Sequence, residues 1–305
     1  MIIDSLVPVF VLILIGKLLD RLDLTARGFA ETSDRLVYYI FFPALLFWKI
    51  GGLSSGAAIH WGLYQATVFA LLTVLLLSLA CIRMLGLPAA QAGALAQSSF
   101  RANTYIGMAV VINALGEEQA ALFGMYLGLV IPLVNVLAVS TLIWFLEEKP
   151  PPTQRLKVTC KALLGNPLIL ACLAGLLHAR MGMRFAPFVE NTLGLAASVS
   201  LPLALISIGS CLSTEALKGR LRPSLLAAAI KVLVFPMIGF GFLWVFGVNG
   251  LSFQMGMIFF ALPIAPSAYV LAAQLHGDAN LASAAIVLST VLALFSLPAV
   301  MWAIQ

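Results

Sequence analysis

Apolar runs long enough to cross a bilayer recur along the whole chain, divided by short polar or Gly- and Pro-bearing junctions. A helical span needs about 20 residues of this kind. The pattern predicts ten spans, at 3–19, 36–52, 61–82, 89–114, 119–146, 165–180, 188–212, 223–246, 253–275 and 280–303. The longest polar junction runs Glu147-Glu-Lys-Pro-Pro-Pro-Thr-Gln-Arg-Leu-Lys157, and its consecutive prolines cannot continue a helix. It reads as a short cytoplasmic linker, 147–164, between halves 1–146 and 165–305 of five spans each.

The halves share landmarks. Span two carries Phe42-Pro43-Ala-Leu-Leu and then Gly51; span seven carries Leu201-Pro202-Leu-Ala-Leu and then Gly209. Span four closes on Leu115-Gly116-Glu117 and span nine on His276-Gly277-Asp278. The offset is about 160 residues each time, which argues for an internal repeat. Five is odd, so the second half enters from the opposite side. The expected architecture is an all-α membrane protein of two inverted five-helix repeats.

Two of the spans are interrupted. Gln97-Ser-Ser-Phe-Arg-Ala-Asn-Thr-Tyr-Ile-Gly107 places a guanidinium and a break inside span four. Ala261-Leu-Pro-Ile-Ala-Pro-Ser-Ala-Tyr269 interrupts span nine. Interrupted segments at matching places in two halves point to a transporter binding site. Arg101 lies on the order of 18 Å into the bilayer when span four starts near Ala89. A charge at that depth is a functional-site hypothesis by default. Unwound backbone is tolerated there only when buried in protein or lining a wet cavity. The two interrupted spans are therefore expected to cross.

Composition agrees with the pattern. Of 305 residues 62% are hydrophobic and only 10% charged, against about 25% in soluble domains. The net charge of +5 comes from loop residues that set orientation, so no nucleic-acid partner is expected. Asp4 precedes the first apolar run and Lys17 and Arg21 follow it, the reverse of a cleavable signal. With the N-terminus outside, Lys17, Arg21, Arg27, Arg35, Arg83, Lys149, Arg155, Lys157, Lys161, Lys218, Arg220 and Arg222 fall in the cytoplasm. Only Lys49, Arg180 and Arg184 fall outside, a positive-inside bias of twelve to three. Both termini are then periplasmic, in a multi-pass protein of the bacterial cytoplasmic (inner) membrane.

Each break creates a helix N-terminus that attracts negative charge. Asn103 and Thr104 are expected to cap the second half of span four, and Ser267 that of span nine. Arg101 adds a fork suited to a carboxylate. Gln97, Tyr105, Pro263, Pro266 and Lys231 complete the expected substrate-binding set; Lys231 either joins transport or snorkels to the cytoplasmic face. Pro43, Pro202, Ala102 and Gly107 are the expected kink and hinge positions. A cation site would need intramembrane carboxylates, and the interiors of the predicted spans contain none; Asp4, Glu117, Glu118, Glu190 and Asp278 sit near span ends. Cys81, Cys160, Cys172 and Cys211 have no paired spacing and the three histidines are scattered, so neither metal nor cofactor is expected. The sequence also lacks a pair of intramembrane aspartates, a Ser–His pair and HExxH, which excludes the familiar intramembrane enzymes.

The two interrupted motifs, with ten spans around a short central loop, resemble the auxin efflux carrier family, including its bacterial malonate-transporter-like branch and the plant carriers. The resemblance covers nearly the whole chain. It implies that Asn103 and Pro266 are the crossover residues, with spans 1, 2, 6 and 7 as scaffold and spans 3–5 and 8–10 as transport domain. It further implies elevator-type alternating access for an organic acid anion, such as malonate or an auxin-like weak acid, coupled to protons or to membrane potential. A homodimer through the scaffold follows by the same analogy. The chain departs from the plant pattern at Ala102, where those members have proline, and at Arg101. The alternatives are a sodium-coupled organic anion symporter of the bile-acid-transporter type and a non-transporting membrane receptor.

Overall fold

The computed structural model describes residues 2–26, 28–53, 60–146, 163–212 and 219–303, with single positions between 151 and 161. Arg27, Lys149, Arg155, Lys218, Pro150, Pro152 and Gln305 lie outside the described residues, as does most of the 147–164 linker. The helices are α1 (Ile2–Arg21), α2 (29–51), α3 (Trp61–Leu85), α4 (Ala89–Ser98), α5 (Thr104–Leu115) and α6 (Glu117–Trp144). They continue with α7 (Pro167–Arg180), α8 (Pro187–Cys211), α9 (Leu221–Val245), α10 (Gly250–Ala261), α11 (Ser267–Gln274) and α12 (Ala279–Ala303).

Local chemistry fixes several ends. The Asn166 Oδ1 accepts from the amides of Leu168 at 2.9 Å and Ile169 at 3.4 Å, and Pro167 fills the first helical position of α7. This is an N-cap that satisfies donors the helix leaves open, followed by a residue with no donor to lose. Gly86, at φ 59°, stops α3 in the left-handed conformation.

Two helices contain a π-turn just before a proline. In α2 the turn covers Val37–Phe41, and the Phe42 amide reaches back five residues to Val37. In α9 it covers Ile230–Val234, and Phe235 reaches Ile230. Pro43 and Pro236 have no amide to continue the usual ladder, and the widened turn keeps each helix continuous. The kink expected at Pro43 is thus absorbed as a π-turn. Pro202 lies inside an uninterrupted α8.

On length and composition α3, α6, α8, α9 and α12 are each apolar enough to cross a membrane; α5, α7 and α10 are apolar but shorter. Leu14, Trp144, Phe295 and Trp302 are among large apolar side chains that remain more than 60% exposed. Water would not tolerate so much open apolar surface, whereas lipid covers it. The protein is a multi-pass, all-helical membrane protein.

Contacts divide the chain into two compact units, each drawing on both halves of the sequence. The first comprises residues 1–59, 105–131 and 164–211. Here α1 and α8 meet backbone to backbone. A Cβ on Gly209 would lie 1.9 Å from the Ile13 carbonyl oxygen, and one on Gly16 would lie 2.0 Å from that of Ile206. Ser210 donates to the Gly16 carbonyl at 3.1 Å across the same contact. Small residues allow this close approach where water exclusion gives no drive. Helix α7 packs on α2, with the His178 Nδ1 3.1 Å from the Gly51 carbonyl and its ring stacked 4.0 Å from Phe185.

The second unit comprises residues 60–104, 132–163 and 212–305. Leu95, Ala96, Ala227, Ile264, Leu281 and Ala285 form a buried core that packs α4, α9 and α12 around the interruption of span nine. Asp278 ties one end of this unit together. Its amide donates to the Ala90 carbonyl at 3.0 Å, its Oδ1 accepts from the Leu281 amide at 3.0 Å, and Arg220 Nε lies 2.6 and 2.8 Å from its oxygens.

Candidate functional site

Span four is interrupted from Ser99 to Asn103, between α4 and α5, and span nine from Leu262 to Pro266, between α10 and α11. The interruptions cross as a short antiparallel bridge between Ala102 and Ile264. The Asn103 amide donates to the Pro263 carbonyl at 2.9 Å, and the Ala265 amide donates to the Arg101 carbonyl at 3.3 Å. The Ile264 amide finds the Ser289 Oγ of α12 at 3.0 Å. Backbone groups released by the broken helices are thereby satisfied inside the protein, the condition for irregular chain at membrane depth.

Arg101 reaches across this bridge. Its Nη2 donates to the Ser267 Oγ at 3.0 Å and to the Asn135 Oδ1 of α6 at 3.2 Å. The side chain is only 8% exposed. Gln97 is fully buried, and its Nε2 donates to the Ala268 carbonyl at 2.9 Å. The structure therefore brings Gln97, Arg101, Ala102, Asn103, Pro263 and Ser267 to one crossing in the second unit. Pro266 adjoins them, and Thr104 opens α5. Tyr105, Gly107, Pro43 and Pro202 belong to the first unit. There the Tyr105 ring meets Phe42 edge-on at 4.7 Å.

Ser267 is not the cap expected from sequence. Pro266 occupies the N-cap position, α11 begins at Ser267, and no side chain caps it. The amides of Ala268 and Tyr269 are taken up by tight bonds to Ala265 and Pro266, each at 3.0 Å. The Ser267 hydroxyl is instead committed to Arg101. The guanidinium thus lies at the positive end of α11, a like-signed pairing that an anion between them would relieve.

Lys231 does not snorkel. It is fully buried in the π-turn of α9, and its Nζ donates to the Phe260 carbonyl at 2.9 Å. The same nitrogen lies 4.7 Å from the Phe235 ring centroid. Phe260 is in the last turn of α10, where unpaired carbonyls make a negative end that favours a cation. The interruption of span nine is therefore held on one side by Lys231 and on the other by Arg101.

Sequence reasoning missed Asn135, although an amide three residues past Pro132 in an apolar run is a polar residue at membrane depth. It also missed Asp34. Helix α2 begins at Phe29, seven residues before the predicted span, so Asp34 belongs to the same continuous helix. Among the described residues no group of His, Cys, Asp and Glu is placed to hold a metal ion.

Two interrupted helices crossing around a buried arginine, in a multi-pass helical protein, define the transporter class. The chain belongs to the membrane transport protein family, the auxin efflux carriers, whose family model matches residues 1–301. It is similar to an uncharacterized transporter of Methanothermobacter thermautotrophicus, 24% identical over 319 residues that cover 99% of this chain and 97% of the relative.

Proposed function

We propose that this membrane transporter carries a small organic acid anion across the bacterial cytoplasmic membrane by alternating access, with its site at the crossing of spans four and nine. The observation that carries the reading is Arg101, buried, held by Ser267 and Asn135, and facing the positive end of α11. A planar fork of donors beside a helix N-terminus suits a carboxylate. Gln97, Asn103, Thr104, Pro263, Pro266 and Ser267 shape the site in this reading, and Lys231 steadies its far side.

Ten spans arranged as two inverted repeats accommodate these features. Glu117 pairs with Lys49 in the first unit, and Asp278, about 160 residues later, pairs with Arg220 in the second. Matching acids opening spans five and ten support the repeat. Elevator-type movement of spans 3–5 and 8–10 against spans 1, 2, 6 and 7 draws support from the two compact units, which separate most of those spans; residues 105–131 group with the first unit instead.

Binding of malonate to the purified protein in lipid tests the site, with other mono- and dicarboxylates as competitors. A hydrogen bond to a charged group is worth about 1.5–3 kcal/mol, so Arg101→Ala should weaken affinity roughly tenfold to a hundredfold. Arg101→Lys keeps the charge but not the fork and should fall between. If Arg101→Ala binds malonate as well as the wild type and merely melts earlier, Arg101 is structural and the anion site is wrong.

A further inference from the structure

We propose that Asp34 and Ser207 form a proton-binding site that couples proton entry to movement of the anion, an inference that rests on the organic-anion reading for its coupling but not for the proton site itself. The Ser207 Oγ lies 2.6 Å from the Asp34 Oδ1 and 3.0 Å from the Ala30 carbonyl oxygen, and Ser207 is fully buried. A hydroxyl has one proton to give and two lone pairs to accept with. When Asp34 is ionised, Ser207 donates to the carboxylate, and 2.6 Å suits such a charge-assisted bond. When Asp34 takes a proton from water, its O–H donates to Ser207, whose own hydrogen turns to the Ala30 carbonyl. The site thus gains or releases a proton while keeping the Asp34–Ser207 hydrogen bond, with its direction reversed. Among the described residues no lysine or arginine pairs with Asp34 to hold it ionised.

The groups around Asp34 come from α8, α5 and its own helix α2. Ser207 and Cys211 lie on α8, Tyr105 on α5, and Tyr38 one turn along α2. Beyond Cys211, Lys17 and Asp20 of α1 pair with each other at 2.8 Å. Arg35 lines a shallow groove of α2 with Thr32, Leu36, Tyr39 and Ile40. Tyr105 is of the same unit as Asp34. It lies in the first turn of α5, two residues past Asn103, within electrostatic reach of Asp34. A transporter that loads this proton together with its anion makes proton and anion each favour binding of the other.

Infrared pH-difference spectra of the purified protein in lipid decide the proton site without any substrate. Acidification of the wild type should raise a protonated-carboxyl band that Asp34→Asn lacks and Ser207→Ala shifts. An unchanged band in Asp34→Asn overturns the proposal. Proteoliposomes with malonate as the probe then test coupling. One proton per anion supports about a tenfold accumulation per pH unit, and Asp34→Asn should lose that response. If the variant still accumulates malonate along the pH gradient as the wild type does, the coupling is wrong. A wild type that shows the carboxyl band but moves no malonate leaves the proton site standing and counts against the substrate reading.

Discussion

Lys231 keeps its ammonium in the interior, 2.9 Å from the Phe260 carbonyl and 4.7 Å from the Phe235 ring centroid. An ammonium is a point donor on a flexible stem, so it can meet a carbonyl that a planar fork would miss. Lys231→Met keeps most of the volume and leaves the Phe260 carbonyl without this donor. The expected loss is about 1–3 kcal/mol of stability, read as a lower melting temperature. Transport should slow as the end of α10 loosens, and Lys231→Arg should restore only part of it. Wild-type melting and uptake in Lys231→Met would mean that this contact does not hold the interruption. The partner of Lys231 was not legible in the sequence because Phe260 is 29 residues away and contributes only its backbone. The same holds for Arg101, whose charge marked it at once but whose ligands, Asn135 and Ser267, come from other spans.

Among the elements, α1 and α8 cross backbone to backbone. Backbone carbonyls of Ile13 and Ile206 occupy the positions that side chains on Gly209 and Gly16 would need. Backbone cannot swing aside as a side-chain end can, so Gly209→Ala forces the helices apart. Overpacking of this kind costs about 1–3 kcal/mol or more. Gly241 of α9 is the internal control, since nothing lies within 4 Å of a Cβ built there. Gly241→Ala should hold or raise stability, because alanine is the better helix former by about 1 kcal/mol. Melting of the two variants in the same lipid gives the comparison, and equal melting would refute the close crossing. The element boundaries themselves were largely legible. Pro263 and Pro266 announced the interruption of span nine, and Arg101 and Asn103 that of span four. The π-turns were not. Proline signals a break or kink, and whether the chain answers with a widened turn depends on the packing around it.

For the whole molecule, the inverted-repeat proposal depends on which loops share a side of the membrane. The basic residues divide twelve to three between the two sides expected from the sequence. Within the second unit Asp278 joins the start of α4 at Ala90, the start of α9 at Arg220 and the start of α12 at Leu281. Those three starts must share one side, the one that the positive-inside rule leads us to expect in the cytoplasm. In the first unit Lys49 and Glu117 join the end of α2 to the start of α6, both on the expected outer side. Single cysteines in a cysteine-free background test the assignment. In right-side-out vesicles a membrane-impermeant thiol reagent should label Arg184→Cys and leave Arg222→Cys untouched until the membrane is opened. Both positions are exposed in the structure, so failure to label is not a matter of burial. Immediate labelling of Arg222→Cys would reverse the orientation. A reporter at Gln305 found in the cytoplasm, with Arg184→Cys still labelled from outside, would break the count of five spans per half and the inverted repeat with it, while leaving the crossing of Ala102 and Ile264 intact.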